Sequence, residues 1–420
     1  MKIHSRVRLF GPALVVLALA GCGGGESDNP SLTAGPVSGT PTPSPAPTAT
    51  PAATPTASPT PTPSPTATTA GTPVPAPSLA GLDPVSSGIG SVDDYLQPAW
   101  GTGDIPGHDV DQGAFRFLCA PSHNAYDDPV VYPGQSGKSH LHTFYGNTLA
   151  DANSSYQSLR TTGDSTCNNF LNRSAYWMPA LMNGKGKVVM ADYAQIYYKR
   201  MPASDPRCAI EATACVALPR GLRFVFGFNM SSPSNSGLFY WNCDGAGGVS
   251  GHFPDIAQAA AGCPVGARIG AVVVAPICWN GTQLDSADHR SHLAYQYYDT
   301  WGQPKCDAAH PYIIPQFQIA AWFTTDSTLD RSGNESATAD TWYLSSDRMP
   351  GMAWAVPGTT LHSDWFGAWE DSIMERWTSH CIDLLLSCNG GDLGNGKQLK
   401  TSAGYGYGNS TVLVDPPVHP

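Results

Sequence analysis

The sequence predicts a mainly β fold: a sandwich- or jelly-roll-like single domain with long loops, a C-terminal helix and several disulfides. Three observations lead there. Short runs rich in Val, Ile, Phe and Tyr recur between clusters of Gly, Pro, Asn and Ser, which is strand-and-turn punctuation. There are 11 cysteines; setting Cys22 aside leaves an even ten, with no C-x-x-C pair among them. Charged residues make up only 13% of the chain, against 44 Gly and 38 Pro, a composition suited to many loops.

The strand-like runs are 115–119, 188–198, 222–229, 268–277, 293–298 and 313–323. A helix is expected where Trp369, Ile373, Trp377, Cys381, Leu384 and Cys388 recur at three- and four-residue spacing, with Asn389-Gly390 as its stop. The ten cysteines suggest five disulfides formed in an oxidising compartment. Spacing leaves the connectivity open. Pairing sequential neighbours is the simplest arrangement: Cys119–Cys167, Cys208–Cys215, Cys243–Cys263, Cys278–Cys306 and Cys381–Cys388.

The organisation reads as three segments. Residues 1–22 have Lys2, Arg6 and Arg8, then an apolar run, then Leu19-Ala20-Gly21-Cys22. This resembles a bacterial lipoprotein signal whose Cys22 is acylated. Residues 23–85 are a disordered Pro/Thr-rich tether that cannot bury a core. Residues 86–420 are the globular domain. The expected location is outside the cytoplasm, lipid-anchored to the cell envelope at the outer membrane or cell surface.

A net charge of −11 argues against a nucleic-acid partner, which needs a concentrated basic face. The 11 Trp and 17 Tyr raise the possibility of aromatic platforms for sugar rings, with Trp177 and Trp279 as candidates; in most domains such residues are core. The chain contains no G-x-S-x-G elbow, no H-E-x-x-H, no phosphate-binding loop and no G-x-G-x-x-G after a strand. Serine-hydrolase, zincin, P-loop and Rossmann chemistries are therefore unsupported.

The residues able to do chemistry fall in five segments: Gly137-Lys138-Ser139-His140-Leu141-His142-Thr143-Phe144-Tyr145-Gly146-Asn147; Trp177-Met178-Pro179-Ala180-Leu181; Cys278-Trp279-Asn280-Gly281 with Leu284-Asp285-Ser286-Ala287-Asp288-His289-Arg290-Ser291-His292; His310-Pro311-Tyr312-Ile313-Ile314-Pro315; and His362-Ser363-Asp364-Trp365-Phe366-Gly367-Ala368-Trp369. In this order they resemble the DUF1996 domain, a family of unknown function in fungi and bacteria, over about Phe115 to Trp369. In fungi that domain is often joined to WSC modules, which are associated with carbohydrate binding. The resemblance implies no assigned activity.

Imidazoles and carboxylates are the usual ligands of zinc, manganese or iron, and the usual general acids and bases. His140, His142, Asp288, His289, His292, His310, His362 and Asp364 are the candidate catalytic residues. A divalent metal is a possible cofactor, with His140, His142, His289 and His292 as candidate ligands. In a strand, His140 and His142 share a face. Lys138 or Arg290 could hold an acidic sugar carboxylate, with Trp177 and Trp279 as further substrate contacts. The purely structural alternatives are that the histidines pin loops, that Asp288 caps a turn and that Asp364 caps the C-terminal helix. The leading expectation is a surface enzyme, a glycoside hydrolase or polysaccharide lyase, acting on an extracellular polysaccharide or cell-wall glycan. The alternatives are a non-catalytic glycan-binding or envelope-attachment module, and an extracellular metal-binding protein.

Overall fold

A computed structural model describes residues 74–99, 111–209, 213–299, 304–402 and 406–420. Cys22, the export segment and the tether as far as residue 73 lie outside the described residues. Two antiparallel-rich sheets carry the fold. Their strands in chain order are β1 (Gly113–Cys119), β2 (Pro121–Ala125), β3 (His142–Gly146), β4 (Ala175–Pro179), β5 (Tyr193–Arg200), β6 (Arg223–Gly227), β7 (Leu238–Asp244), β8 (Arg268–Val274), β9 (Gln316–Thr324), β10 (His362–Phe366) and β11 (Ser387–Cys388). The six-stranded sheet runs β7-β8-β9-β5-β1-β11 and the five-stranded sheet β6-β10-β4-β3-β2. Further two- and three-residue strands form small rim sheets.

In the six-stranded sheet the residue pattern alternates with the pleat. Ala194, Ile196 and Tyr198 on β5 are buried while Gln195, Tyr197 and Lys199 are less so. Phe317 and Ile319 on β9, and Phe115 and Phe117 on β1, face the same way into one core. The five-stranded sheet closes that core from the other side. Phe317 stacks on Trp365 of β10 and on Tyr176 of β4, and meets Phe226 of β6 edge to face. This is a β-sandwich with an aromatic centre. The five-stranded sheet is covered on its outer face as well: Phe144, Trp177, Val225 and Phe366 bury there beneath Val130 and the short helix α1 (Tyr156–Thr161).

All five disulfides join sequential neighbours, Cys119–Cys167 through Cys381–Cys388. Other expectations need correction. The run 188–198 is broken after Met190, because the buried Asp192 binds Arg268 and Thr324 at that turn. Pro315 separates the strand Tyr312–Ile313 from β9. The run 293–298 yields only the two-residue strands Leu293–Ala294 and Tyr297–Tyr298. The C-terminal helix is a short one. Asp371–Arg376 is α-helical, Trp377–Ile382 continues as a π-helical turn, and Leu385 at φ 58° ends it. Cys388 instead lies in β11, parallel to β1. The chain from Val74 already lies against the domain: Leu79 N–H donates to the Gly281 carbonyl and Leu82 N–H to that of Arg220. No helix among the described residues is long and apolar enough to cross a membrane.

Candidate metal centre

The outer face of the five-stranded sheet gathers the histidines. His142 pairs with Pro179 across β3 and β4, Asp364 pairs with Trp177 across β10 and β4, and Asp364 also pairs with Val225 of β6. The inner face takes Tyr176 and Trp365. By alternation His142, Trp177, Pro179, His362 and Asp364 all project outward. At the level of His142 and His362 the intervening strand presents only the compact ring of Pro179. The imidazoles meet there: ring centroids lie 4.2 Å apart for His140–His142, 5.2 Å for His140–His362 and 6.2 Å for His142–His362. Asp128 approaches from the loop before β3, where its Oδ1 accepts the N–H groups of Val130 and Val131.

The ring nitrogens divide into two kinds. Nδ1 of His142 lies 3.0 Å from the Asp127 carbonyl, and Nδ1 of His362 lies 2.8 Å from the Thr360 carbonyl. A carbonyl can only accept, so each Nδ1 carries the proton and each Nε2 keeps its lone pair. His140 Nδ1 is within reach of the Ser345 hydroxyl, 3.1 Å away. Nε2 of His142 is buried with no hydrogen-bond partner, and so are both carboxyl oxygens of Asp364. Leaving such groups unpaired costs roughly 1–3 kcal/mol each. Two overlapping sets, His140/His142/His362 and Asp128/His142/Asp364, each place one ligand atom per residue within 4.8 Å of the others. Ligands on one ion lie at most about 4.2 Å apart, twice a bond of about 2.1 Å.

Burial dominates the electrostatics. His142, His362, Asp364 and Asp128 are 1%, 5%, 1% and 4% exposed; His140 is partly exposed and forms the solvent side. Burial holds His142 and His362 well below the ordinary imidazole value and brings His140 down to about 4, so all three are neutral. Burial, with the neighbouring Asp128 charge, holds Asp364 well above the carboxylate range, and burial raises Asp128 to about 6. Neutral imidazoles whose Nδ1 protons go to carbonyls, and carboxyl oxygens without hydrogen bonds, are groups that could hold a metal ion.

Asp347 positions this set from behind. Its Oδ2 accepts Leu344 N–H and Gly358 N–H, and its Oδ1 accepts the N–H and hydroxyl of Thr360, whose carbonyl in turn holds His362. Burial raises this carboxyl to about 6 against those four bonds. Asp347→Asn would set an amide NH2 against N–H donors. The expected cost is about 3 kcal/mol of stability, measured by urea unfolding.

The remaining candidates lie elsewhere. His292 is fully buried, but Ser286 Oγ and the Arg223 carbonyl take its two ring nitrogens. His310 is likewise held on both nitrogens, by Asp307 and the Ser291 carbonyl. His289, in a left-handed turn at φ 57°, pairs with Asp285. Asp288 caps that turn through Ser286, Arg290 and Ser291. Lys138 is an exposed loop residue two positions before His140. Trp177 and Trp279 are 0% and 1% exposed and are core, not platforms. Asp128 and Asp347 carry no sequence signal of their own; Asp127-Asp128-Pro129 reads as an ordinary turn.

Burial holds the His292 imidazole down to about 4. Its contribution to stability is therefore complete above the unfolded value near 6.5 and is lost as pH falls toward 4, by up to about 3 kcal/mol. Unfolding free energies from pH 7 to pH 4.5 should fall less steeply in His292→Gln than in the wild type.

Fold and site together define a disulfide-braced β-sandwich protein with a buried His/Asp cluster on the outer face of one sheet. The chain belongs to the DUF1996 family: the family described as "Domain of unknown function (DUF1996)" matches residues 128–369, more than half of the 420-residue chain and inclusive of all five cluster residues. No curated protein and no solved structure matches the chain.

Proposed function

We propose that His140, His142 and His362, with Asp364 and Asp128, bind one divalent transition-metal ion and that this centre is the functional site. The observation that carries the reading is that buried atoms without hydrogen-bond partners, His142 Nε2 and both Asp364 oxygens, belong to residues whose ligand atoms lie within 4.8 Å of their neighbours in the two sets that share His142. Three imidazoles and two carboxylates suit manganese, iron, cobalt, nickel or zinc. Soft thiolate chemistry is not on offer among the described residues, since their ten cysteines form the five disulfides. Elemental analysis of tag-free protein tests this. About one equivalent of metal, lost in His142→Ala/His362→Ala, supports it; folded protein that neither carries nor takes up metal refutes it.

A second reading is favoured by the protonation states: a partly exposed neutral His140 is a base, and a protonated Asp364 is an acid, without metal. On that reading the protein cleaves an extracellular polysaccharide. Digestion of acidic and neutral glycans by metal-free protein, abolished in His140→Ala, would favour it. Turnover that needs added metal would reject it, and binding without product would point to an attachment module. The proposed setting for either is the cell envelope, with Cys22 as lipid anchor. Cys22→Ala should then release the protein from the membrane fraction; unchanged fractionation would remove the anchor.

A further inference from the structure

We infer that a cleft of mixed polar and apolar lining beside the proposed metal centre binds an oxyanion-bearing ligand through Arg290, Asn229 and Asn235, and holds it more tightly when the centre carries its ion. The cleft has a volume of about 210 Å³; Asn229, Asn235, Asp288 and Arg290 line it together with an apolar wall that includes Phe226 and Leu293. The inference rests on the metal reading for its coupling and on the cleft for its ligand.

The link between cleft and cluster is the β6–β10 ladder. Arg290 donates to the carbonyls of Gly227 (3.3 Å) and Phe228 (2.7 Å). Gly227 is the residue paired with His362 in the register of those strands. The guanidinium therefore sits one strand away from a cluster histidine while lining the cleft. Its charge also reaches the buried carboxyl, drawing Asp364 down against burial.

The donors in the cleft exceed what the protein uses. A guanidinium carries five N–H groups, and the hydrogen bonds of Arg290 among the described residues take two. Asn229 accepts Ser231 N–H and Ser232 N–H at its Oδ1, which leaves the Nδ2 donors. Asn235 is exposed and its side-chain amide has no partner among the described residues. Part of the acceptor capacity is engaged, and Asp288 keeps one carboxylate oxygen without a hydrogen bond among the described residues. Asp288 Oδ1 takes four donors, from Ser286, Arg290 and Ser291, and the Tyr295 hydroxyl is held by the Val274 carbonyl and Leu238 N–H. A guanidinium and two amide donors lining one cleft are matched by a carboxylate, sulfate or phosphate, where charge-assisted bonds are strongest.

The coupling follows from charge. A divalent ion bound by Asp364 and Asp128 takes up their negative charge and adds positive field one strand from Arg290. An anion in the cleft then gains, and by linkage it must raise the metal affinity by the same factor.

The test is calorimetric titration of the full-length protein, EDTA-treated and then zinc-loaded. The probes are sodium glucuronate, sodium sulfate and glucose at equal ionic strength. Zinc uptake is measured in the same samples. Glucuronate is expected to bind and glucose not; zinc should tighten glucuronate several-fold, and Asn235→Asp should weaken it at least tenfold with an unchanged melting temperature. Arg290→Gln should abolish it. Sulfate binding as tightly as glucuronate assigns the site to oxyanions at large; glucuronate alone assigns it to sugar carboxylates; both support the cleft. Glucose binding equal to glucuronate, or full affinity in Asn235→Asp, overturns it. Zinc uptake without anion binding overturns this inference alone. Anion binding without zinc uptake overturns the metal reading and the coupling with it.

Discussion

Asp364→Asn is expected to weaken metal binding roughly 100-fold or more while stabilising the metal-free protein by roughly 1–3 kcal/mol. The two effects have one origin. Asp364 is buried on the outer face of β10 with neither oxygen hydrogen-bonded. Desolvation disfavours its charge, and Asp128 adds repulsion. A group of this kind destabilises a fold that has no cation to offer it. Asn is neutral at nearly constant volume and removes the cost of holding a buried carboxyl protonated that ionises in the unfolded chain, so the metal-free protein gains stability while the ligand set loses a carboxylate, a trade of stability against function. Competition titration with a chromogenic chelator reads the affinity, and urea unfolding of EDTA-treated protein reads the stability. If Asp364→Asn destabilised the metal-free protein and left affinity unchanged, Asp364 would be a structural carboxyl.

The second large effect is expected from opening the Cys119–Cys167 disulfide, which closes a separation of 48 residues. Replacing both cysteines by Ser should cost about 4 kcal/mol on the chain-entropy estimate for a loop of that length. The position matters as much as the length. Cys119 ends β1 in the six-stranded sheet, and Pro121 begins β2 in the other. On the partner side, Thr166 accepts Ala120 N–H and donates its N–H to Gly146 at the end of β3. The bridge thus pins the crossing from one sheet to the other, next to the strand carrying His142. The double Ser variant should melt well below wild type and should lose metal before it loses its β-sheet circular dichroism. A melting temperature within a degree or two of wild type would contradict this.

Legibility in the sequence followed the physics of each element. β1, β5 and β9 have one face on the core and show alternation, so the class and those strands could be read. β3, β4 and β10 are buried on both faces, and His142–Gly146, Ala175–Pro179 and His362–Phe366 show no alternation to find. The sequential disulfide pairing held throughout. The helix overran because Leu384 and Cys388 keep the helical period, while the chain turns at Leu385 to reach β1. In the site, His140 and His142 do come together, but only β10, three strands along the sheet from β2, could add His362 and Asp364. The spacing of His289 and His292 resembles a ligand pair, yet the left-handed turn at His289 sends the two rings to different partners. Asp128 is brought in by a loop, and loops leave no periodic trace.

The central claim is that one ion sits among these side chains, and an anomalous-difference map from crystals, collected at the absorption edge of the metal found by elemental analysis, tests it most directly. A single strong peak is expected within bonding distance, about 2.0–2.3 Å, of Nε2 of both His142 and His362, with His140, Asp364 and Asp128 supplying the other ligands. Well-ordered imidazoles with Nε2 hydrogen-bonded to water, and no anomalous peak between them, would contradict it.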